Sequence, residues 1–159
     1  SSFHEICLRR LIRPRIGACD RTLNMSDSGN HFHHATPILR VRDLAASLAH
    51  YQRVLGFKLN WQAPYFASIS RGDACLMLCQ GHQGRPRTWV WIGVADADAL
   101  EREYRASGAA IRLPPTNYSW AYEMHVEDPD GHVLRLGSDP KTDRPFSEWV
   151  VWYPVREDE

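Results

Sequence analysis

Glu127-Asp128-Pro129-Asp130-Gly131-His132-Val133-Leu134-Arg135-Leu136 is the stretch from which the fold can be read. A tight Asp-Pro-Asp-Gly turn stands between two runs that alternate as strands do. Pro129 presets φ for the first central turn position, and Gly131 supplies the left-handed residue that closes such a turn. Met124-His125-Val126 before it and Val133 to Leu136 after it read as the arms of a β-hairpin. The turn alone carries no function. It gains meaning because the unit it closes occurs twice.

Upstream of the hairpin, Thr88 to Val94 reads as a strand, and Asp96 opens a helical stretch through Leu100 and Tyr104 to Gly108. Ala110 to Leu113, Trp120 to Val126 and His132 to Leu136 supply three more strands. The same order appears earlier. Thr36 to Val41 is a short strand, and Asp43 is placed to accept from the first free amides of a helix. Leu44, Leu48, Tyr51, Val54 and Leu55 recur at helical spacing, and Gly56 stands where a terminating glycine belongs. Phe57 to Trp61, Tyr65 to Ser70 and Cys75 to Cys79 read as strands, with Arg71-Gly72-Asp73 turning between the last two. Val41, Asp43 and Tyr51 recur as Val94, Asp96 and Tyr104 at one offset of 53, and Gly56 recurs as Gly108 at 52. The unit is βαβββ, repeated, which predicts an α+β fold. Neither half can cover its own sheet, so the two sheets are expected to curl around a shared cleft.

The folded domain is expected over residues 35–138, with modules at 35–80 and 88–138 joined by the Gly- and Arg-rich linker 81–87. Residues 1–34 differ in kind. Cys7 to Arg15 is basic and broken by Pro14, as a transit peptide would be, whereas Met25-Ser26-Asp27 reads as a native start after an upstream extension. The histidines His31, His33 and His34 form a tail of the sort that binds metals incidentally. Residues 139–159 form a C-terminal tail, whose run Phe146 to Tyr153 alternates loosely. It could add a strand, cover the cleft or pack on a partner chain.

A chain of 159 residues with 43% hydrophobic and 24% charged residues can bury an ordinary core. Its formal net charge of zero and lack of a basic, aromatic-interleaved stripe argue against nucleic-acid binding. No apolar run approaches the ~20 residues that span a bilayer. The four cysteines show neither zinc spacing nor a disulfide framework, which suits a reducing cytoplasm. Six tryptophans are many for this length and ask for a reason.

Two βαβββ modules ending in an Asp-Pro-Asp-Gly hairpin resemble the vicinal oxygen chelate superfamily of glyoxalases, extradiol dioxygenases, and fosfomycin- and bleomycin-resistance proteins. The resemblance runs from about Ala35 to Ser138. The opening Ala35-Thr36-Pro37, then Arg42-Asp43 and Tyr51…Leu55-Gly56-Phe57, is most similar to the bleomycin-resistance type. Enzymes of the superfamily hold a divalent metal on the first strand of each module and on the last strand. The resemblance places those positions at Thr36, Trp89 and Arg135. A neutral hydroxyl, an indole and a guanidinium cannot replace His, His and Glu, so no metal and no other cofactor is expected there. Arg144 matches the spacing of a phosphonate-binding arginine in the fosfomycin enzymes; a surface role is the default.

Strand alternation puts Trp89 and Trp91 together on the inner face, and the same parity brings Arg135 inward on the last hairpin. The resemblance adds Glu123 and His125 to that face, Glu123 as the partner of Arg135. The indoles either meet a ligand or plug the cavity, and His125 is equally a structural histidine. Stacking on such rings is worth ~0.5–1.5 kcal/mol beyond area burial, and a cation over the ring adds a comparable amount. The candidate ligand-binding residues are therefore Thr36, Trp89, Trp91, Glu123, His125 and Arg135. The expected function is metal-free sequestration of an aromatic or cationic small molecule, bleomycin being the sharpest instance, by a cytoplasmic homodimer without catalytic residues. One departure weighs on the drug: residues 35–159 carry 14 Lys+Arg against 16 Asp+Glu, where bleomycin binders resemble more acidic proteins. The competing expectation is a glyoxalase-type lyase or isomerase with a metal on unusual ligands such as His82, Glu123 or His125. A third is a catalytically silent dimeric scaffold.

Overall fold

The structure, a computed structural model, describes residues 34–149. The first module runs β1 (Ile38–Arg40), α1 (Leu44–Arg53), β2 (Lys58–Ala63), β3 (Phe66–Arg71) and β4 (Ala74–Cys79). The second runs β5 (Trp89–Gly93), α2 (Ala97–Ser107), β6 (Ala110–Asn117), β7 (Tyr122–Glu127) and β8 (Val133–Ser138). Each module forms one four-stranded sheet of the same topology, β1-β4-β3-β2 and β5-β8-β7-β6, with the first strand parallel to the last. The expected α+β pair of βαβββ modules is therefore present.

Both helices start as their sequences require. Asp43 Oδ1 accepts from Ala46 N and Asp96 Oδ1 from Ala99 N, each at 3.0 Å, and such a cap is worth about 0.5–2 kcal/mol. Their ends differ. Gly108 caps α2 in the left-handed conformation, φ 79°, whereas α1 ends at Val54 and Gly56 turns two residues later, φ 72°. A Cβ on Gly56 would stand 2.8 Å from Arg71 Nη1, because the Arg71 guanidinium reaches across to Leu55 O (2.7 Å).

Alternation sends one face of each sheet into a common core. Leu39, Ile69, Leu76 and Leu78 from the first sheet meet Met124, Val126, Leu134 and Leu136 from the second, with Leu44, Leu48, Tyr51, Leu55 and Tyr104 between them. Each buried Leu or Ile stabilises the fold by about 1.5–3 kcal/mol, so neither module is complete without the other's cover.

The repeated tyrosines join the modules. Tyr51 of α1 donates to Asp128 Oδ2 in the second module's hairpin turn (2.9 Å), and Tyr104 of α2 donates to Leu55 O in the first (3.0 Å). The Asp-Pro-Asp-Gly turn is held further by Arg42 Nε and Ser47 Oγ, which donate to the Asp130 carboxylate at 2.9 and 3.1 Å. Burial raises the Asp128 carboxyl above its ordinary value despite hydrogen bonds from His132 N, Tyr51 and Asp130 N. His132 completes the joint: Thr88 N donates to its Nδ1 (3.0 Å), so its Nε2 carries the proton and donates to Arg40 O (2.7 Å). The turn from which the sequence was read is thus the hinge pin between modules.

Because the apolar faces look inward, the opposite faces look out. Trp89, Trp91 and Arg135, expected to point inward, stand on the outer face of the second sheet, because the apolar residues of the other parity take the core. The first sheet does not roof them, so one chain supplies one wall of the expected cleft. No helix among the described residues is long and apolar enough to cross a membrane. The expectations for 1–33, including His31 and His33, and for 150–159 fall outside the described residues.

Candidate functional site

The outer face of the second sheet is set by its register. Trp91, Arg135, His125 and Leu113 stand in one row, and Gly93, Gly137, Glu123 and Thr116 in the next. Trp89 precedes Trp91 by two residues and shares its face. At the centre lies Glu123, with no exposed surface. Three donors converge on its carboxylate: Arg135 Nη2 to Oε1 at 2.7 Å, His125 Nε2 to Oε1 at 3.2 Å and Trp91 Nε1 to Oε2 at 3.4 Å. Burial alone would raise this acid; the hydrogen bonds from His125 and Arg135 and the guanidinium charge outweigh it and hold the carboxyl below its ordinary value. It is an ionised anchor for its neighbours and a poor proton acceptor at neutral pH.

Trp91 lies over glycine. A Cβ on Gly137 would meet its Cζ2 at 2.9 Å, and one on Gly93 its Cζ3 at 3.4 Å. Two small residues, one in each adjoining strand, let the indole lie down within reach of Glu123. Trp89 meets the His125 ring edge-on at 5.5 Å. Both indoles stay open to solvent, Trp89 at 44% and Trp91 at 50% exposure, above the buried His125 and Glu123.

A second set of rings closes one end. Tyr118 and Trp120, in the turn after β6, stack at 4.8 Å with planes 2° apart. Trp149 leans on both at 5.4 and 5.8 Å, touches His125 at 6.1 Å and lies over the Arg135 guanidinium at 5.1 Å. Residues 139–149 reach this place because Asn117 ties them down. Its Nδ2 donates to the carbonyls of Lys141, Arg144 and Pro145, its Oδ1 accepts from Lys141 N, and its carbonyl accepts from Ser147 N.

This arrangement can be set beside known proteins. A family model described as the glyoxalase/bleomycin resistance protein/dioxygenase superfamily matches residues 31–136, two thirds of the chain. The chain belongs to that superfamily. Among solved structures it is similar to a bleomycin-binding protein from bleomycin-producing Streptomyces verticillus, determined with copper(II)-bleomycin. Identity there is 25%, the TM-score 0.58, and the match covers 70% of this chain and 99% of that one. It is also similar to a bleomycin resistance determinant encoded on the transposon Tn5, at 24% identity and TM-score 0.55 over 68% of this chain and 98% of that one. TioX from Micromonospora sp. ML1 matches at 21% and 0.59, over 67% and 98%. No curated protein matches the sequence significantly.

The metal positions of the superfamily do not fit a divalent cation here. Arg135 is ion-paired to Glu123 and Trp89 packs on His125, while Thr36 stands half-buried before β1 in the other sheet. An indole offers no lone pair and a guanidinium repels a cation. His125 and Glu123 adjoin, but His82 is exposed in the 81–87 loop, and among the described residues no three His, Cys, Asp or Glu side chains converge.

Of the six candidate site residues, Trp89, Trp91, Glu123, His125 and Arg135 come together; no hydrogen bond or ring contact brings Thr36 to them. Arg144 sits over Tyr122, whose hydroxyl binds Asp98 of α2 on the inner face. Tyr118, Trp120, Trp149, Gly93 and Gly137 were not placed from sequence. The surplus of tryptophan was the available signal for two of them. A cleft of about 510 Å³ opens elsewhere, between the 71–74 turn and the start of α2. Its apolar floor, including Ile92, Leu100 and Leu136, belongs to the joint between modules. It shares with the indole face only Gly93, and the converging polar groups favour the indole face as the site.

Proposed function

We propose that this superfamily member is a small-molecule binding protein of the bleomycin-resistance type. It holds an aromatic or cationic ligand against the outer face of its second sheet and makes or breaks no bond in it. The observation that carries this reading is the pair of half-exposed indoles, Trp89 and Trp91, backed from beneath by buried Glu123 and His125, with the partly exposed Arg135 ion-paired to Glu123. Rings already oriented by contacts beneath them lose less freedom when a flat ligand lands on them, which favours affinity without chemistry. In this reading Trp89, Trp91 and Arg135 touch the ligand, and Glu123 and His125 position them.

A homodimer supplies the missing wall. Edge strand β2 is exposed along all six residues, with Trp61 within it at 47% and Tyr65 in the following turn at 67% exposure. An uncovered edge of this kind is a ready interface. A second copy's first sheet laid over the indole face would bring Thr36 toward it. The free thiols of Cys75 and Cys79 suit a cytoplasmic setting.

The test is a tryptophan-fluorescence titration with metal-free bleomycin at low salt. Saturable quenching at micromolar drug, lost in a folded Trp91→Ala variant, is the expected result. A flat titration removes bleomycin as the ligand.

A further inference from the structure

The Arg135 guanidinium is only partly used. Its Nη2 binds Glu123, but its Nε is buried and meets no acceptor among the described residues. A buried donor left without a partner is costly, and it lies beneath the Trp149 ring, which covers it with a π-face instead of an acceptor. Trp149 itself is poorly seated. It is 41% exposed, and its contacts with Tyr118, Trp120 and His125 are all tilted by 50–54°, whereas Tyr118 and Trp120 stack flat on each other. The last tie of its segment to Asn117 is Ser147 N. One residue, Glu148, then separates the anchor from the ring, so the indole can swing away while the segment stays attached.

We infer that Trp149 occupies the ligand's own slot, and that the ligand is a planar aromatic molecule carrying a hydrogen-bond acceptor in its plane. This deepens the binding reading above and rests on it. Such a ligand displaces Trp149, lies against the Tyr118–Trp120 stack and accepts from Arg135 Nε. Glu123 already neutralises Arg135, so the acceptor can be neutral or anionic. A cationic headgroup at this end has no lone pair to take the Nε–H and would leave that donor stranded, which narrows the ligand class to aromatic acids, amides and aza-aromatics. Segment 139–149 acts as a displaceable plug that sets an affinity threshold, because the slot is available only while Trp149 is out.

Calorimetric titration of the full chain with 2-naphthoate and with 2-naphthyltrimethylammonium tests this. Trp149→Ala is expected to bind 2-naphthoate about five- to tenfold more tightly than the unsubstituted chain, the factor set by the cation–π and ring contacts no longer competed for. Ser147→Pro, which removes the last anchoring N–H but keeps the indole, is expected to shift affinity in the same direction. Both variants are first shown to melt cooperatively. The carboxylate is expected to outbind the ammonium about tenfold or more in every chain. Equal or weaker 2-naphthoate binding by Trp149→Ala overturns the plug and makes Trp149 part of the wall. An ammonium that binds as well as the carboxylate overturns the acceptor assignment. If neither probe binds any chain while bleomycin still quenches, this inference alone falls; if bleomycin fails too, the reading beneath it falls as well.

Discussion

Glu123 keeps its charge in a place with no solvent because Arg135, His125 and Trp91 all point donors at it. Removing that charge strands the guanidinium. Arg135 is still 27% exposed, so Glu123→Gln is expected to cost about 1–3 kcal/mol, less than for a fully buried pair, read from urea denaturation. The pH dependence follows from the lowered folded value. Glu123 contributes stability that is fully present above its ordinary value of 4.5 and is lost as pH falls through the lower folded one. The gap between the native chain and Glu123→Gln should therefore be open at about pH 7 and narrow by about pH 3; a gap that is constant with pH would show the carboxylate plays no part. Gly137 makes the opposite kind of contribution. Gly137→Ala puts a methyl 2.9 Å from the Trp91 ring, and since that ring is half exposed it gives way before the backbone does. The expected stability loss is about 1 kcal/mol or less, with a clear change in tryptophan emission and weaker ligand binding. The pairing of Glu123 with Arg135 was expected from the family resemblance; the donors His125 and Trp91, and the glycines beneath Trp91, were not visible in the chain. Alternation put the side chains on one face, but the meeting of Trp91 with Glu123, 32 residues away, needed strand register.

At the scale of elements, the hairpin from which the fold was read turned out to be a joint. His132 bridges Arg40 O in the first module and Thr88 N in the second with both ring nitrogens, and it has no exposed surface. His132→Ala removes both bonds and leaves a cavity. It is expected to cost about 2–4 kcal/mol by chemical denaturation, with Gln recovering a part of this. Unchanged stability would mean the modules dock without it. The turn chemistry, caps and repeat offset were legible because they depend on neighbours in sequence. Departures from the expected bounds are where tertiary contact overrules them: β6 runs on to Asn117 through Pro114 and Pro115, with its register shifting at Leu113 and Thr116, and α1 stops short of Gly56. Asn117 lay outside the strand expected over Ala110 to Leu113, and nothing next to it in sequence marked its role. Its five hydrogen bonds to the 139–149 segment decide what covers the site.

The molecule as a whole is two four-stranded sheets packed through their apolar faces and helices, with aromatic side chains on both outer faces. If a second copy roofs the indole face, the particle in solution has twice the 18.3 kDa chain mass. Trp61→Arg is then expected to shift sedimentation to the monomer and weaken ligand binding at least tenfold, while leaving the melting of the single chain nearly unchanged. A native chain that sediments as a monomer at tens of micromolar would sink the two-copy site. The repeat, the strand and helix order, the hairpin turn and the superfamily all follow from the sequence. Each rests on local rules: alternation, capping, turn residues and spacing. Only the tertiary structure decided which face of each sheet became core, since that depends on which surface the other module covers. It alone set which donors reach Glu123 and laid Trp149 over Arg135 and His125, because those contacts join residues distant in the chain that only strand register and the Asn117 tether bring together.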